Sequence, residues 1–131
     1  MRTFATKEIK EIKGDKILFK KLQINNVCPF DVFVEEVKKN NQYFSEYKTI
    51  LSYMNFFAQG NLLPKKHYNE IKERRLKNNG IKCHEFKSKH IRIYVLDQLF
   101  GGIVIIGGYK TSQLKDVNKL IPIVLEFTKT A

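Results

Sequence analysis

Between residues 83 and 95 the chain alternates strictly. Cys83, Glu85 and Lys87 interleave with His84, Phe86 and Ser88, and after a short polar break Ile91, Ile93 and Val95 interleave with His90, Arg92 and Tyr94. Period-two alternation with β-branched residues marks half-buried strands. A two-residue hairpin loop at Ser88-Lys89 would set Lys87 against His90, Phe86 against Ile91 and Glu85 against Arg92. Opposed residues share a face of the sheet. Phe86, Ile91, Ile93 and Val95 then make an apolar face, and Cys83, Glu85, Lys87, His90, Arg92 and Tyr94 a polar, mostly cationic one. The next segment, residues 102–107, is a continuous apolar run between glycines, the pattern of a strand covered on both faces. A turn at Phe100-Gly101-Gly102 makes it antiparallel to its predecessor. Acid, base and cation therefore share one side of a three-strand meander, a constellation that can do chemistry or simply stay wet.

Upstream, residues 16–24 place Leu18, Leu22 and Ile24 on one face and Phe19 on the other. Gly14-Asp15 suggests a hairpin turn back to residues 6–13, although Glu8 and Ile12 also fit a short helix. Pro29 and Asp31 are helix-start signals, followed by Phe30, Phe33, Val34 and Val37 at helical spacing. After a break at residues 38–41 the pattern resumes with Tyr43, Phe44, Tyr47, Ile50, Leu51, Met54 and Phe57, and Gly60 ends it. These residues predict an αα-hairpin whose aromatics are core. Residues 61–80 are a polar connection that includes Arg74 and Arg75, able to hold a phosphate backbone or to lie solvated. Ser112 or Thr111 can cap a last helix whose apolar side is Val117, Leu120, Ile121, Val124 and Leu125. Pro122 predicts a kink or two short segments there. The sum is an α+β protein: helices against one face of an antiparallel sheet, an N-terminal αα-hairpin and a C-terminal helix.

A length of 131 residues fits one domain, with residues 1–15 an N-terminal extension or extra strand. The formal net charge of +11 favours a polyanionic partner such as nucleic acid. Much of that charge is lysine in a chain also rich in isoleucine and asparagine, a mix that codon bias alone can produce. Cys28 and Cys83 follow no metal-ligand spacing, and the N-terminus lacks the apolar core of a signal peptide. No apolar run approaches the ~20 residues of a membrane span. The expectation is a cytoplasmic protein with no metal, no cofactor and no membrane partner.

The order of elements and three short motifs resemble the RelE/ParE superfamily of type II toxin–antitoxin toxins, over residues 16 to about 120. Members carry a Glu-Leu-Arg strand, a Tyr-Arg-Ile-x-Tyr strand, and an apolar strand leading into Gly-Phe, lysines and Ser/Thr-Gln. The counterparts here are Glu85-Phe86-Lys87, His90-Ile91-Arg92-Ile93-Tyr94, and Ile105-Ile106-Gly107-Gly108-Tyr109-Lys110-Thr111-Ser112-Gln113. The resemblance implies a small, metal-independent endoribonuclease that cuts mRNA in the ribosomal A site and is silenced by a cognate antitoxin. It implies attack of a ribose 2′-OH on the adjacent phosphate, which needs a base, a cation and an acid. On that reading Arg92 clamps the phosphate, assisted by Lys87. Glu85, His84 and His90 are candidate bases. Tyr94, Tyr109, Lys110 and Lys115 position RNA or donate a proton, and Lys89, His90, Arg74 and Arg75 contact its backbone.

The chain departs from the family pattern at Ile106-Gly107, where many active members have a histidine, at Lys110-Thr111, where a lysine pair is usual, and at Lys87, where arginine is expected. His84 falls on the helix-packing face, which makes it a structural group. Glu85 and Arg92 can equally be a cross-strand salt bridge, worth only about 0–1 kcal/mol on a wet face. Two further readings share the scaffold: a gyrase-poisoning toxin of the ParE branch that cuts no RNA, and an inactive relative.

Overall fold

The computed structural model describes residues 2–130, so that Met1 and Ala131 of the expected single domain lie outside it. The chain forms strands β1 (Phe4–Glu8) and β2 (Leu18–Ile24), helices α1 (Pro29–Val37) and α2 (Asn41–Ala58), strand β3 (Tyr68–Glu70) and the short helix α3 (Arg74–Lys77). Strands β4 (Cys83–Lys87), β5 (Ile91–Gln98) and β6 (Gly101–Tyr109) follow, then a 3-10 turn at Lys110–Ser112 and helix α4 (Gln113–Thr130). The six strands make one sheet in the order β1-β2-β6-β5-β4-β3.

The α+β class and the β4-β5-β6 antiparallel meander agree with the alternation in the sequence. The sheet is mixed, however, and not wholly antiparallel, because β2 and β6 run parallel. The chain leaves β2 through α1 and α2, and the β5–β6 hairpin then threads β6 into the sheet beside β2. A connection of this length can deliver a parallel neighbour, which a tight hairpin cannot.

Helices cover both faces rather than one. Helices α1 and α2 pack Phe30, Phe33, Val37, Ile50 and Met54 against Phe19, Phe86, Ile91, Ile93 and Val95. Helix α4 packs Leu120, Ile121 and Val124 against Leu22, Tyr94, Leu96, Ile103 and Ile105, with Leu76 of α3 beside them. A bulge explains how β6 serves both layers. Tyr94 pairs with Ile106 but Val95 pairs with Val104, so Ile105 has no partner, and Ile105 and Ile106 both reach the α4 side.

Several boundaries differ from expectation. Lys87 pairs with Arg92 and Glu85 with Tyr94, so the β4–β5 loop is Lys89-His90, one residue later than Ser88-Lys89. That displacement shifts the pairing by two residues, and because side chains alternate with period two the assignment of faces survives for every paired residue. His90 is the exception: it falls in the turn, outside the ladder, and its ring meets Glu46 of α2 instead of joining Arg92 and Tyr94. The β5–β6 turn is Leu99-Phe100, with Phe100 at φ 57°, rather than Phe100-Gly101-Gly102. β1 is the extra N-terminal strand, but Gly14-Asp15 does not form a tight turn. Residues 9–17 are a longer loop in which Ile9 is buried, Gly14 abuts Ala58, and Lys16 and Ile17 both donate to the Ala58 carbonyl at 3.0 Å. Within residues 61–80, β3 and α3 are too short for periodicity to reveal. Helix α4 continues through Pro122, which lies exposed where water can satisfy the carbonyl it deprives of a partner.

Gly107 and Gly108 have opposite duties. A side chain at Gly107 would collide with the Phe33 ring, and one at Gly108 with the Asp116 carboxylate. The pair lets α1 and α4 approach the same strand from its two faces. Both cysteines are free and buried, and burial pushes the Cys83 thiol up to about 12.

Candidate nucleic-acid interface

The β4–β5 turn is fixed from several sides. Ser88 N–H donates to the Ile91 carbonyl at 3.1 Å, Lys110 N–H to the His90 carbonyl at 2.8 Å, and Lys87 N–H to the His67 carbonyl at 2.8 Å. Arg92, next on β5, turns its Nη1 back to donate to the Ser88 carbonyl at 2.6 Å and the Ile91 carbonyl at 3.0 Å.

The strongest clamp comes from α2. Glu46 Oε1 accepts from Ser88 Oγ at 2.6 Å and from the His90 N–H at 2.7 Å. Its Oε2 meets His90 Nδ1 at 2.6 Å and accepts from Gln42 Nε2 at 2.9 Å. Burial by itself raises the carboxyl pKa, but hydrogen bonds from Ser88, His90 and Gln42 overcome it and hold the group at about 2. An ionised carboxylate only accepts, so His90 carries its proton on Nδ1 when neutral and presents the Nε2 lone pair. The His90 side chain is 40% exposed, which leaves that nitrogen within reach of a ligand. Tyr43 lies 5.7 Å from the His90 ring and 5.3 Å from Tyr109, whose other neighbour is Phe33 at 5.4 Å. Partial burial, aided by Glu36, raises the Tyr109 phenol pKa and keeps it protonated at neutral pH.

The expected site residues fall into separate groups. Lys87, Lys89, His90, Tyr109 and Lys110 converge around the turn, since Tyr109 pairs with Ile91 and Lys110 follows it. Glu85, Arg92 and Tyr94 share the other face and are buried there rather than open to solvent. The Glu85 carboxylate accepts from Gln113 Nε2 at 3.1 and 3.0 Å, under the first turn of α4. No Glu85–Arg92 salt bridge forms among the described residues, because the register sets Arg92 opposite Lys87. Lys115 is exposed on α4. Arg74 and Arg75 lie on α3, where Arg75 is held by Glu73 at 2.8 Å and by Asn118 at 2.9 Å, apart from the turn. His84 lies on the α1–α2 face as expected, stacked on Tyr68 at 4.4 Å with Nδ1 2.9 Å from Asp97.

Like charges directly opposite one another on a sheet are destabilising. Lys87 faces Arg92, and neither they nor Lys89, Lys110 and Lys115 take part in an ion pair among the described residues. An anion would relieve that repulsion. Sequence reasoning missed Glu46, although a signal existed: it sits three residues after Tyr43 and four before Ile50, inside the apolar stripe of α2. A carboxylate at such a position is buried and needs donors.

Tyr94 Oη and Arg92 Nε are buried without hydrogen-bond partners. An unsatisfied buried hydroxyl costs about 1–3 kcal/mol. Tyr94→Phe should therefore raise the free energy of unfolding by about 1–2 kcal/mol in urea titrations. A loss of stability instead would reveal a partner for the hydroxyl.

Fold and site together define an α+β protein that carries a basic, carboxylate-clamped histidine turn at one end of its sheet. Comparison with protein families, with curated proteins and with solved structures finds no match for this chain. Among the described residues no helix is long and apolar enough to cross a membrane, and no three His, Cys, Asp or Glu side chains gather as a metal-binding group.

Proposed function

We propose that this protein is a metal-independent endoribonuclease, the toxin of a type II toxin–antitoxin pair, acting on mRNA at the ribosome. The observation that carries the proposal is the His90 Nδ1 to Glu46 contact at 2.6 Å, which orients an accessible imidazole amid lysines without acidic partners. The resemblance of residues 16 to about 120 to RelE-like toxins supplies the substrate and the setting. His90 Nε2 takes the proton of the ribose 2′-OH, and the 2′-oxygen attacks the adjacent phosphorus. The P–O5′ bond breaks, and the protonated Tyr109 phenol supplies the proton to the departing oxygen. The products are a 2′,3′-cyclic phosphate and a 5′-hydroxyl. Lys89 and Lys110 flank His90 and stabilise the charge that builds on the phosphoryl oxygens. An acidic antitoxin would neutralise the same cationic turn.

The test is mapping of new mRNA 5′ ends in a bacterial host after brief induction of wild type and of His90→Ala. New ends inside reading frames should appear with wild type. The variant should lose cleavage by about 10²–10⁴-fold, the range of general acid–base catalysis. Growth arrest without new ends would replace the nuclease with a non-catalytic, gyrase-type binder on this scaffold. Cleavage that is equal in both proteins would remove His90 from the chemistry.

A further inference from the structure

A groove of about 370 Å³ opens beside the His90 turn, between α2 and the β4–β5 hairpin. Its walls include Glu46 and Tyr53 of α2, Lys66 and His67 of the connection that follows, and Lys87 and Lys89 at the turn. Glu46 and Tyr53 are seven residues apart, two turns along one side of α2. The volume lies in the range of small-ligand clefts.

Its electrostatics are one-sided. Both oxygens of Glu46, the acid of the lining, are used by Ser88, His90 and Gln42. Lys66, Lys87 and Lys89 take part in no ion pair among the described residues. The floor of the groove is aromatic. Tyr53 and His67 stack with centroids 4.2 Å apart and planes inclined by 27°, and both rings remain partly exposed. The Lys87 N–H to His67 carbonyl bond of 2.8 Å ties this platform to β4. A basic channel with an aromatic platform is the combination that holds single-stranded nucleic acid: cations follow the phosphates, and a ring accepts any base.

We infer that this groove holds single-stranded RNA next to the cut, with Lys66 and Lys89 on its phosphates and a base against the Tyr53–His67 stack. The inference takes its substrate from the ribonuclease reading, and its test does not depend on cleavage. A short labelled oligouridylate is titrated, by fluorescence anisotropy, into His90→Ala protein, in which cutting should be slowed about 10²–10⁴-fold. Adding Tyr53→Ala should weaken binding about tenfold or more, whereas Tyr53→Phe, which keeps the ring, should not. Lys66 is exposed, so Lys66→Ala should leave the fold intact. It should lower the slope of log Kd against log salt by about 0.7, the value of one phosphate contact on a single strand.

Unchanged affinity in Tyr53→Ala with an unchanged salt slope in Lys66→Ala would overturn the groove, even if the wild-type protein cuts RNA. The absence of any RNA binding would overturn it equally. Binding that responds to both substitutions, in a protein whose wild type cuts nothing, would uphold the groove and remove the ribonuclease reading.

Discussion

Replacing Glu46 by Gln should cripple the turn twice over. The carboxylate accepts four hydrogen bonds, and an amide can accept only part of that set while adding donors that have nowhere to go. On the proposed ribonuclease reading, RNA cleavage should fall on the order of 10²-fold or more, because His90 loses both its orientation and its tautomer. Stability should fall with it and in a pH-dependent way. The folded-state pKa is depressed from the ordinary 4.5 to about 2. The stabilisation is therefore fully present above about pH 4.5 and is lost as pH falls towards 2. The shift corresponds to about 3 kcal/mol. The unfolding free energy of wild type, read from denaturant titrations, should drop steeply between pH 5 and pH 2, and that of Glu46→Gln should drop less by that amount. Parallel pH profiles in the two proteins would contradict the clamp.

Arg92→Ala carries the second large effect, and here the structure alters the expectation. A guanidinium that only clamps substrate would leave stability unchanged when removed. Arg92 is only 7% exposed, and its Nη1 holds the carbonyls of Ser88 and Ile91. Its loss frees the turn that carries His90 and leaves the Ser88 carbonyl without a donor, while the Ile91 carbonyl keeps only the Ser88 N–H. Unfolding free energy should fall by about 3 kcal/mol, and on the ribonuclease reading cleavage should fall with it. Arg92→Lys should fare almost as badly, since its ammonium keeps the charge but on a shorter side chain that does not reach the place where Nη1 meets both carbonyls. Thermal melts read beside cleavage assays decide the matter. An Arg92→Ala protein as stable as wild type but inactive would return Arg92 to the role of a direct phosphate ligand.

The alternation of residues 83–87 and 91–95 determined which side chains share a face, and the helical spacing of Phe30, Phe33, Val34 and Val37 determined α1. These are local properties. A period of two or of 3.6 is written into the chain, and burying one face is what stabilises it. The same alternation could not say that the polar face would be roofed. Glu85, Arg92 and Tyr94 looked solvent-facing, yet α4 covers them, because the both-sided apolar run of β6 requires a helix on each side. Nor could it give the parallel pairing of β2 with β6, which joins residues some eighty positions apart.

The candidate site divides along the same line. Lys87 and His90 were legible from the alternation, and Lys89, Tyr109 and Lys110 as candidates only through the family resemblance; that the five meet at one turn is given by the register of β4, β5 and β6. Glu46 was not, since its contact with His90 spans 44 positions and depends on how α2 lies across the sheet. By itself the sequence determined the elements, the faces and a surplus of positive charge. Tertiary structure alone decided that one buried carboxylate would find the histidine, because long-range contacts are set by packing the layers together and leave no periodic trace in the chain.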